Sequence, residues 1–121
     1  MQLPYNENLY VEGITLKTIS NVSNNKIVYG AVFTGCKNTL ISNCIFWTEL
    51  HGTNSVSKNV VAVKGATNIV LSGGMVVTRD ISGKNEISHF ATHNAAPLTL
   101  ENVYIYGENV DHFSIGKVEI K

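Results

Sequence analysis

The stretch Asn38-Thr39-Leu40-Ile41-Ser42-Asn43-Cys44-Ile45-Phe46 contains two short apolar runs separated by Ser-Asn. Runs of this length, rich in β-branched residues, predict two β-strands. An asparagine between them favours a turn, because asparagine tolerates left-handed backbone. The stretch therefore predicts a strand, a tight turn and a second strand.

This unit recurs along the chain, at Val11–Leu16, Ile41–Phe46, Leu71–Val76 and Leu100–Ile105, at intervals of 30, 30 and 29 residues. Turn residues recur with it in two columns, which are Asn8, Asn38 and Asn68, and Gly13, Asn43, Gly73 and Asn102. A second family of strands aligns Ala31–Phe33 with Val61–Val63, Phe90–Thr92 and Phe113–Ile115. Because one repeat cannot bury its own apolar face, we expect the repeats to stack.

The period predicts an all-β solenoid of about 3–4 rungs that forms one domain over residues 1–121, whole or as a fragment of a longer chain. Equivalent residues then lie about 4.8 Å apart, so that an asparagine column can hydrogen-bond along the stack. A β-sandwich remains the alternative, although it gives no reason for turn residues to repeat every thirty positions.

Composition agrees with this class and excludes several functions. Nine basic residues balance nine acidic ones, which argues against nucleic-acid binding. No apolar run has the length needed for membrane insertion, and no signal peptide is visible at the start. Cys36 and Cys44 alone do not make a disulfide framework, and we expect them to behave as small buried side chains.

The rung pattern, the asparagine columns and the aliphatic stacks resemble the right-handed parallel β-helices of the pectin-lyase-like superfamily. That superfamily includes polysaccharide lyases, polygalacturonases and the trimeric tailspikes of bacteriophages. The resemblance covers nearly the whole chain, and it implies that the solenoid is a right-handed parallel β-helix, an architecture rather than one activity.

Strand alternation predicts which side chains face inward. Inward stacks are expected at Val11, Ile41, Leu71 and Leu100, at Leu16, Phe46, Val76 and Ile105, at Ala31, Val61, Phe90 and Phe113, and at Phe33, Val63, Thr92 and Ile115. The same alternation places an apolar surface outside, made of Ile45, Trp47, Met75, Val77, Tyr104 and Tyr106. Monomers rarely expose such a patch. Subunit packing, sugar stacking and a wrong phase after the turn all remain open as explanations.

The chemistry expected of an enzyme is sparse. Asp80, Glu86 and Asp111 fall near the last two rungs and are weak candidates for a catalytic carboxyl set, which glycoside hydrolysis requires. The single arginine, Arg79, is the only one available for the role that an arginine plays in uronate lyases, and a solvated pair with Asp80 is the simpler expectation.

The histidines and the acids predict no metal site and no cofactor. His89 and His93 would share a face of one strand but lie too far apart to hold one ion. The alignment instead stacks His89 on His112 beside Asp111. We interpret the two imidazoles as exposed ladder residues, with a pH-sensitive or weakly metal-binding contact as the alternative.

These observations predict a non-catalytic β-helix module of a phage tailspike or receptor-binding protein, located in the virion tail and synthesised in the host cytoplasm. It would form a homotrimer and contribute to attachment to host surface polysaccharide. Trp47, Tyr104, Tyr106, Ile45 and Met75 are the candidates for a glycan-binding surface or a subunit interface. A fragment of a polysaccharide lyase or glycoside hydrolase is the alternative, and a structural spacer or adhesin segment is the third hypothesis.

Overall fold

The computed structural model describes residues 1–121 as fourteen β-strands joined by turns, without a helix. No helix is therefore available that could cross a membrane. The strands are β1 (Gln2–Pro4), β2 (Tyr10–Glu12), β3 (Thr15–Ser20), β4 (Ile27–Thr34), β5 (Lys37–Ser42), β6 (Ile45–Leu50), β7 (Val56–Val63), β8 (Thr67–Ser72), β9 (Met75–Asp80), β10 (Glu86–His93), β11 (Leu98–Glu101), β12 (Tyr104–Glu108), β13 (His112–Ile115) and β14 (Val118–Ile120).

The strands form three sheets in which every pairing is parallel. Sheet A has the order β1-β4-β7-β10-β13, sheet B the order β14-β11-β8-β5-β2, and sheet C the order β12-β9-β6-β3. The chain visits the sheets in turn, so that each circuit adds one strand to each sheet. The result is a β-solenoid of about four turns with a spacing of about 30 residues, as the repeat predicts, rather than a sandwich of antiparallel sheets.

Sheets B and C have the register expected from the repeat. Ile41 pairs with Val11 on one side and with Leu71 on the other, and Leu71 pairs with Leu100. The neighbouring stack of sheet C also pairs as predicted, and it consists of Leu16, Phe46, Val76 and Ile105. Both stacks contribute to a single core that runs along the inside of the solenoid.

The predicted register of sheet A is wrong by one residue at β7. Ala31 pairs with Val60 rather than with Val61, and Phe90 pairs with Val60 on the other side. The cause is that the turn before β7 has one residue fewer than the turn before β4, five against six. Because side chains alternate along a strand, a shift of one residue exchanges the inward and outward positions. Ala62 therefore lies in the core, where Val61 and Val63 are expected from the repeat.

The predicted inward positions of Val61, Val63 and Ile115 are wrong, whereas the ring of Phe113 lies 5.3 Å from that of the core residue Phe90. Val61 and Val63 instead belong to a small outer cluster together with Val32 and Ala91. In the last strand Ser114, not Phe113, pairs with Phe90. Phe113 and Ile115 are exposed at the end of the stack, at 42% and 40%.

The turn columns adopt the left-handed backbone that their residue types favour. Asn8, Asn38 and Asn68 have φ angles of 56°, 56° and 55°. Their side chains form a ladder, in which Asn38 Nδ2 donates to Asn8 Oδ1 at 3.3 Å and Asn68 Nδ2 donates to Asn38 Oδ1 at 2.9 Å. This confirms the hydrogen-bonded asparagine column.

A buried polar cluster lies between sheets A and C. Asn59 accepts a hydrogen bond from Thr48 Oγ1 at 2.9 Å, and its amide nitrogen donates to Thr78 Oγ1 at 3.1 Å. The same nitrogen donates to the carbonyl oxygens of Phe46 and Val77, at 3.1 Å and 2.9 Å. A fully buried asparagine thus has its amide satisfied by both neighbouring rungs, as buried polar groups require.

Candidate functional site

The outer face of sheet C carries the residues predicted to form a surface patch. Three columns run along the solenoid axis there. They are Thr15, Ile45, Met75 and Tyr104, then Lys17, Trp47, Val77 and Tyr106, and then Ile19, Glu49, Arg79 and Glu108. We call these twelve residues the sheet C platform. The predicted phase after the turn is therefore right.

Trp47 is held in place on the sheet C platform by its neighbours. Its Nε1 donates a hydrogen bond of 2.7 Å to Glu49 Oε1, and Lys17 Nζ lies 5.0 Å from the centre of its ring. In the same column Val77, between Trp47 and Tyr106, is only 2% exposed. Val77 is therefore covered, and Lys17 already lies over the ring of Trp47.

A chain of charges runs beside the aromatic column. Arg79 Nη1 contacts Glu49 Oε1 at 3.1 Å, and its Nη2 lies 3.3 Å from Glu108 Oε2. His51 Nε2 lies 3.0 Å from the second oxygen of Glu49. One arginine thus bridges carboxylates of the rungs before and after its own.

These contacts shift two ionisable groups in the expected directions. Hydrogen bonds from His51 and Trp47, together with the charge of Arg79, hold the pKa of Glu49 below its ordinary value of 4.5, although burial acts in the opposite sense. The carboxylates of Glu108 and Glu49 raise the pKa of Arg79. Both groups therefore remain ionised, and neither is a proton donor near neutral pH.

The open part of the sheet C platform lies on its last rung. Tyr104 is 60% exposed and Tyr106 is 45% exposed, whereas Ile45 and Met75 are half-buried below them. A tyrosine ring offers an apolar face and a hydroxyl group that donates or accepts. Two such rings beside fixed charged groups can stack on an apolar ring face and hydrogen-bond the polar groups around it.

Asp80 is fully buried and has a structural task. Its carboxylate accepts hydrogen bonds from the backbone nitrogens of Gly83 and Asn85, at 3.1 Å and 2.9 Å. It also accepts from the side chains of Ser82 at 3.2 Å and Asn85 at 2.8 Å. Arg79 and Asp80 have opposite orientations on β9, so the solvated pair expected between them does not form. Asp80 instead shapes the turn before β10.

The other two predicted acids are not brought together with Asp80 by any hydrogen bond. The Asp111 carboxylate accepts a hydrogen bond from the backbone nitrogen of Ile87 at 2.8 Å, and it thereby satisfies a backbone donor of β10. Glu86 is exposed, and its Oε1 lies 3.9 Å from His112 Nε2. The three acids thus serve separate local contacts.

The predicted stacking of His89 on His112 is wrong, because His112 pairs with Ser88. His89 is only 5% exposed rather than an exposed ladder residue, and its Nδ1 lies 2.8 Å from Thr78 Oγ1. Burial lowers the pKa of His89 from 6.5 to about 4, so this imidazole is neutral near pH 7. No group of three or more His, Cys, Asp or Glu side chains is arranged to hold one metal ion.

The cysteines are both free and buried, as expected for small core side chains. Cys36 Sγ lies 2.8 Å from the carbonyl oxygen of Leu3. Sequence reasoning missed Glu49 and Glu108 as partners of Arg79. The signal was present, because intervals of 30 and 29 residues place them in the column of Arg79, and the same repeat had aligned the aromatic residues.

In comparisons with known proteins, no family model matches the sequence, and neither a curated protein nor a solved structure matches the chain.

Proposed function

We propose that the chain is a non-catalytic β-solenoid module that binds polysaccharide through the sheet C platform. By its resemblance to phage tailspikes, it would act in a virion as a homotrimer that contributes to attachment to host surface polysaccharide. The observation that carries the proposal is the pair of exposed rings, Tyr104 and Tyr106, beside the ion-paired Arg79 on the sheet C platform.

The physical argument rests on preorganisation. The C–H face of a sugar ring is apolar and packs against an aromatic ring, while its hydroxyl groups need donors and acceptors at the edge. Tyr106 lies in the column next to that of Glu108 and Arg79, so a sugar on its ring meets charged groups within reach. Because ion pairs already hold Glu49, Arg79 and Glu108, fixing these charged side chains on binding costs little conformational entropy.

The state of the carboxyl groups supports binding rather than catalysis. Hydrolysis of a glycosidic bond uses one protonated carboxyl group and one free carboxylate. Glu49 is held ionised, and Asp80 and Asp111 are engaged by backbone N–H groups. Glu49 is therefore not a proton donor near neutral pH, and Asp80 and Asp111 lie outside the platform.

The test measures affinity for a panel of bacterial surface polysaccharides, with the Tyr104→Ala/Tyr106→Ala variant beside the parent protein. Tyr10→Ala is the control, because Tyr10 is a comparably exposed tyrosine (57%) on sheet B. We expect at least a tenfold weakening in the double variant and none in the control. Equal affinities of parent and double variant would refute the platform as the binding surface.

The homotrimer is tested separately by the native mass in solution, measured by light scattering on a sizing column. A trimer supports a contact between subunits, and a Trp47→Ala variant tells whether the platform forms it. A stable monomer refutes the assembly and leaves the sugar-binding proposal intact.

The second candidate function is a fragment of a polysaccharide-degrading enzyme. One observation favours it, since Glu49 and Glu108 place two carboxyl groups on the same outer face, on either side of Arg79, and a pair of carboxyl groups is what glycoside hydrolysis requires. Incubation with acidic and neutral polysaccharides should then release new reducing ends or unsaturated products, and Glu108→Gln should abolish the release. Absence of both products refutes this candidate.

A further inference from the structure

A second surface, outside the sheet C platform, has the shape and charge of a ligand site. It is an open groove of about 520 Å³ at the corner where the chain passes from sheet C to sheet A. Its lining residues come from three successive rungs and include Asn25, Lys26, Asn54, Lys84 and Glu86. We propose that this groove binds an acidic polysaccharide, through its carboxylate groups.

The groove floor is built by the solenoid ladder. Asn25 N donates to the carbonyl oxygen of Asn54 at 2.7 Å, and Asn54 N donates to that of Lys84 at 2.9 Å. The three residues therefore form one column along the axis. Its ends, in the first and third of these rungs, lie about 9.6 Å apart by strand spacing.

The turn that carries Lys84 is fixed rather than loose. The buried carboxylate of Asp80 binds the backbone nitrogens on both sides of Lys84, those of Gly83 and Asn85. Asn85 Nδ2 also donates to the carbonyl oxygen of Gly52 in the rung before, at 2.8 Å. The position of the Lys84 backbone is thus set before any ligand arrives, which reduces the entropic cost of binding.

The polar groups of the groove are available to a ligand. Neither Lys26 nor Lys84 takes part in an ion pair, and the side-chain amides of Asn25 and Asn54 make no hydrogen bond within the protein. Glu86 is the one acid in the lining, so the groove carries one net positive charge. On the sheet C platform, by contrast, Arg79 is already paired with two carboxylates.

The arrangement fits a chain that carries separated negative charges and many hydroxyl groups. The two lysines lie in the first and third rungs of the groove and match carboxylates on non-adjacent sugars, while the amide of Asn25 in the first rung and that of Asn54 in the second match hydroxyl groups. Ile27, 64% exposed, offers an apolar contact within the same lining. The groove lacks the aromatic rings on which single-stranded nucleic acids stack, which favours a glycan over a nucleic acid.

The experiment is a titration with polygalacturonate, with dextran as the neutral polysaccharide and a single-stranded oligonucleotide as the other polyanion. It compares the parent protein with Lys26→Gln/Lys84→Gln and with the control Lys37→Gln/Lys64→Gln, which loses the same charge at the corner between sheets A and B, where Lys37 begins β5 and Lys64 follows β7. Thermal melting verifies that all three remain folded, because the four lysines are on the surface.

We expect polygalacturonate to bind the parent protein and the control equally and the groove variant about tenfold more weakly, with added salt weakening binding to the parent. An equal loss of polygalacturonate affinity in both variants would mean that any surface lysine attracts the polyanion. Binding of dextran as tight as that of polygalacturonate would mean that the negative charge of the ligand does not contribute. Lysine-dependent binding of the oligonucleotide with similar affinity would identify a general polyanion groove. Each of these results, or no binding of polygalacturonate, overturns the proposal. Tyr104→Ala/Tyr106→Ala leaves this titration unchanged, which separates it from the proposed platform function.

Discussion

Thr39 provides the sharpest test of how this core is held together. Its side chain lies inside sheet B, is 1% exposed and pairs in register with Ile69. Its hydroxyl oxygen has no hydrogen-bond partner. A buried hydroxyl without a partner costs roughly 1–3 kcal/mol in proteins. Thr39→Val keeps the shape and removes that cost.

We expect Thr39→Val to raise the free energy of unfolding by about 1–2 kcal/mol. For a chain of this length that corresponds to a rise in Tm of roughly 3–8 °C. Urea unfolding followed by far-UV circular dichroism and by Trp47 fluorescence measures the change. The slope m should stay constant, because the surface exposed on unfolding does not change.

Thr48→Val is the matched control, since the same chemical change has the opposite sign there. Thr48 Oγ1 donates to Asn59 Oδ1 at 2.9 Å inside the buried polar cluster. Its loss should lower the free energy of unfolding by about 1–2 kcal/mol. A decrease in stability for Thr39→Val as well would refute the reasoning, because it would mean that the Thr39 hydroxyl is satisfied.

Two further predictions concern the same interior. Gly30→Ala should destabilise the fold by about 2–4 kcal/mol in urea unfolding, because an added Cβ would lie 2.4 Å from the carbonyl oxygen of Asn59 and 2.6 Å from its side-chain oxygen. Gly13→Ala is its control, since a Cβ there meets nothing within 4 Å and only the backbone strain of φ +68° remains. Stability should also fall as the pH drops from 6.5 towards about 4, because His89 binds a proton more readily in the unfolded chain than in the fold. His89→Gln should flatten the part of this decline above pH 4.5, and an unchanged decline would contradict the burial of a neutral imidazole.

The repeat predicts the class of fold because turn chemistry and apolar spacing agree at every rung. Sheets B and C could be aligned residue by residue, since their strands keep an interval of 30 residues through β9. Sheet A could not, because one residue is missing from the turn before β7 and the following turn has an additional one, Lys64–Ala66 against Gly35–Cys36. Because the lost residue and the added residue cancel, the overall period of the repeat does not change. Within β7, however, Val61 and Val63 point outward instead of inward.

The sequence gives weaker guidance on the ionisable groups, for a reason that lies in the geometry of stacking. An outward column places side chains one strand spacing apart, so that opposite charges such as Glu49 and Arg79 pair across rungs. An inward carboxylate such as Asp80 must find N–H donors, and it finds them in its own turn. Both kinds of contact occupy charged groups, although a count of acids and bases from the sequence would treat these groups as available to a ligand. Lys26 and Lys84 escape them because no carboxylate forms an ion pair with either one. Arg79 is already neutralised by two carboxylates on the sheet C platform, and we therefore expect a charged ligand at the turns that carry Lys26 and Lys84.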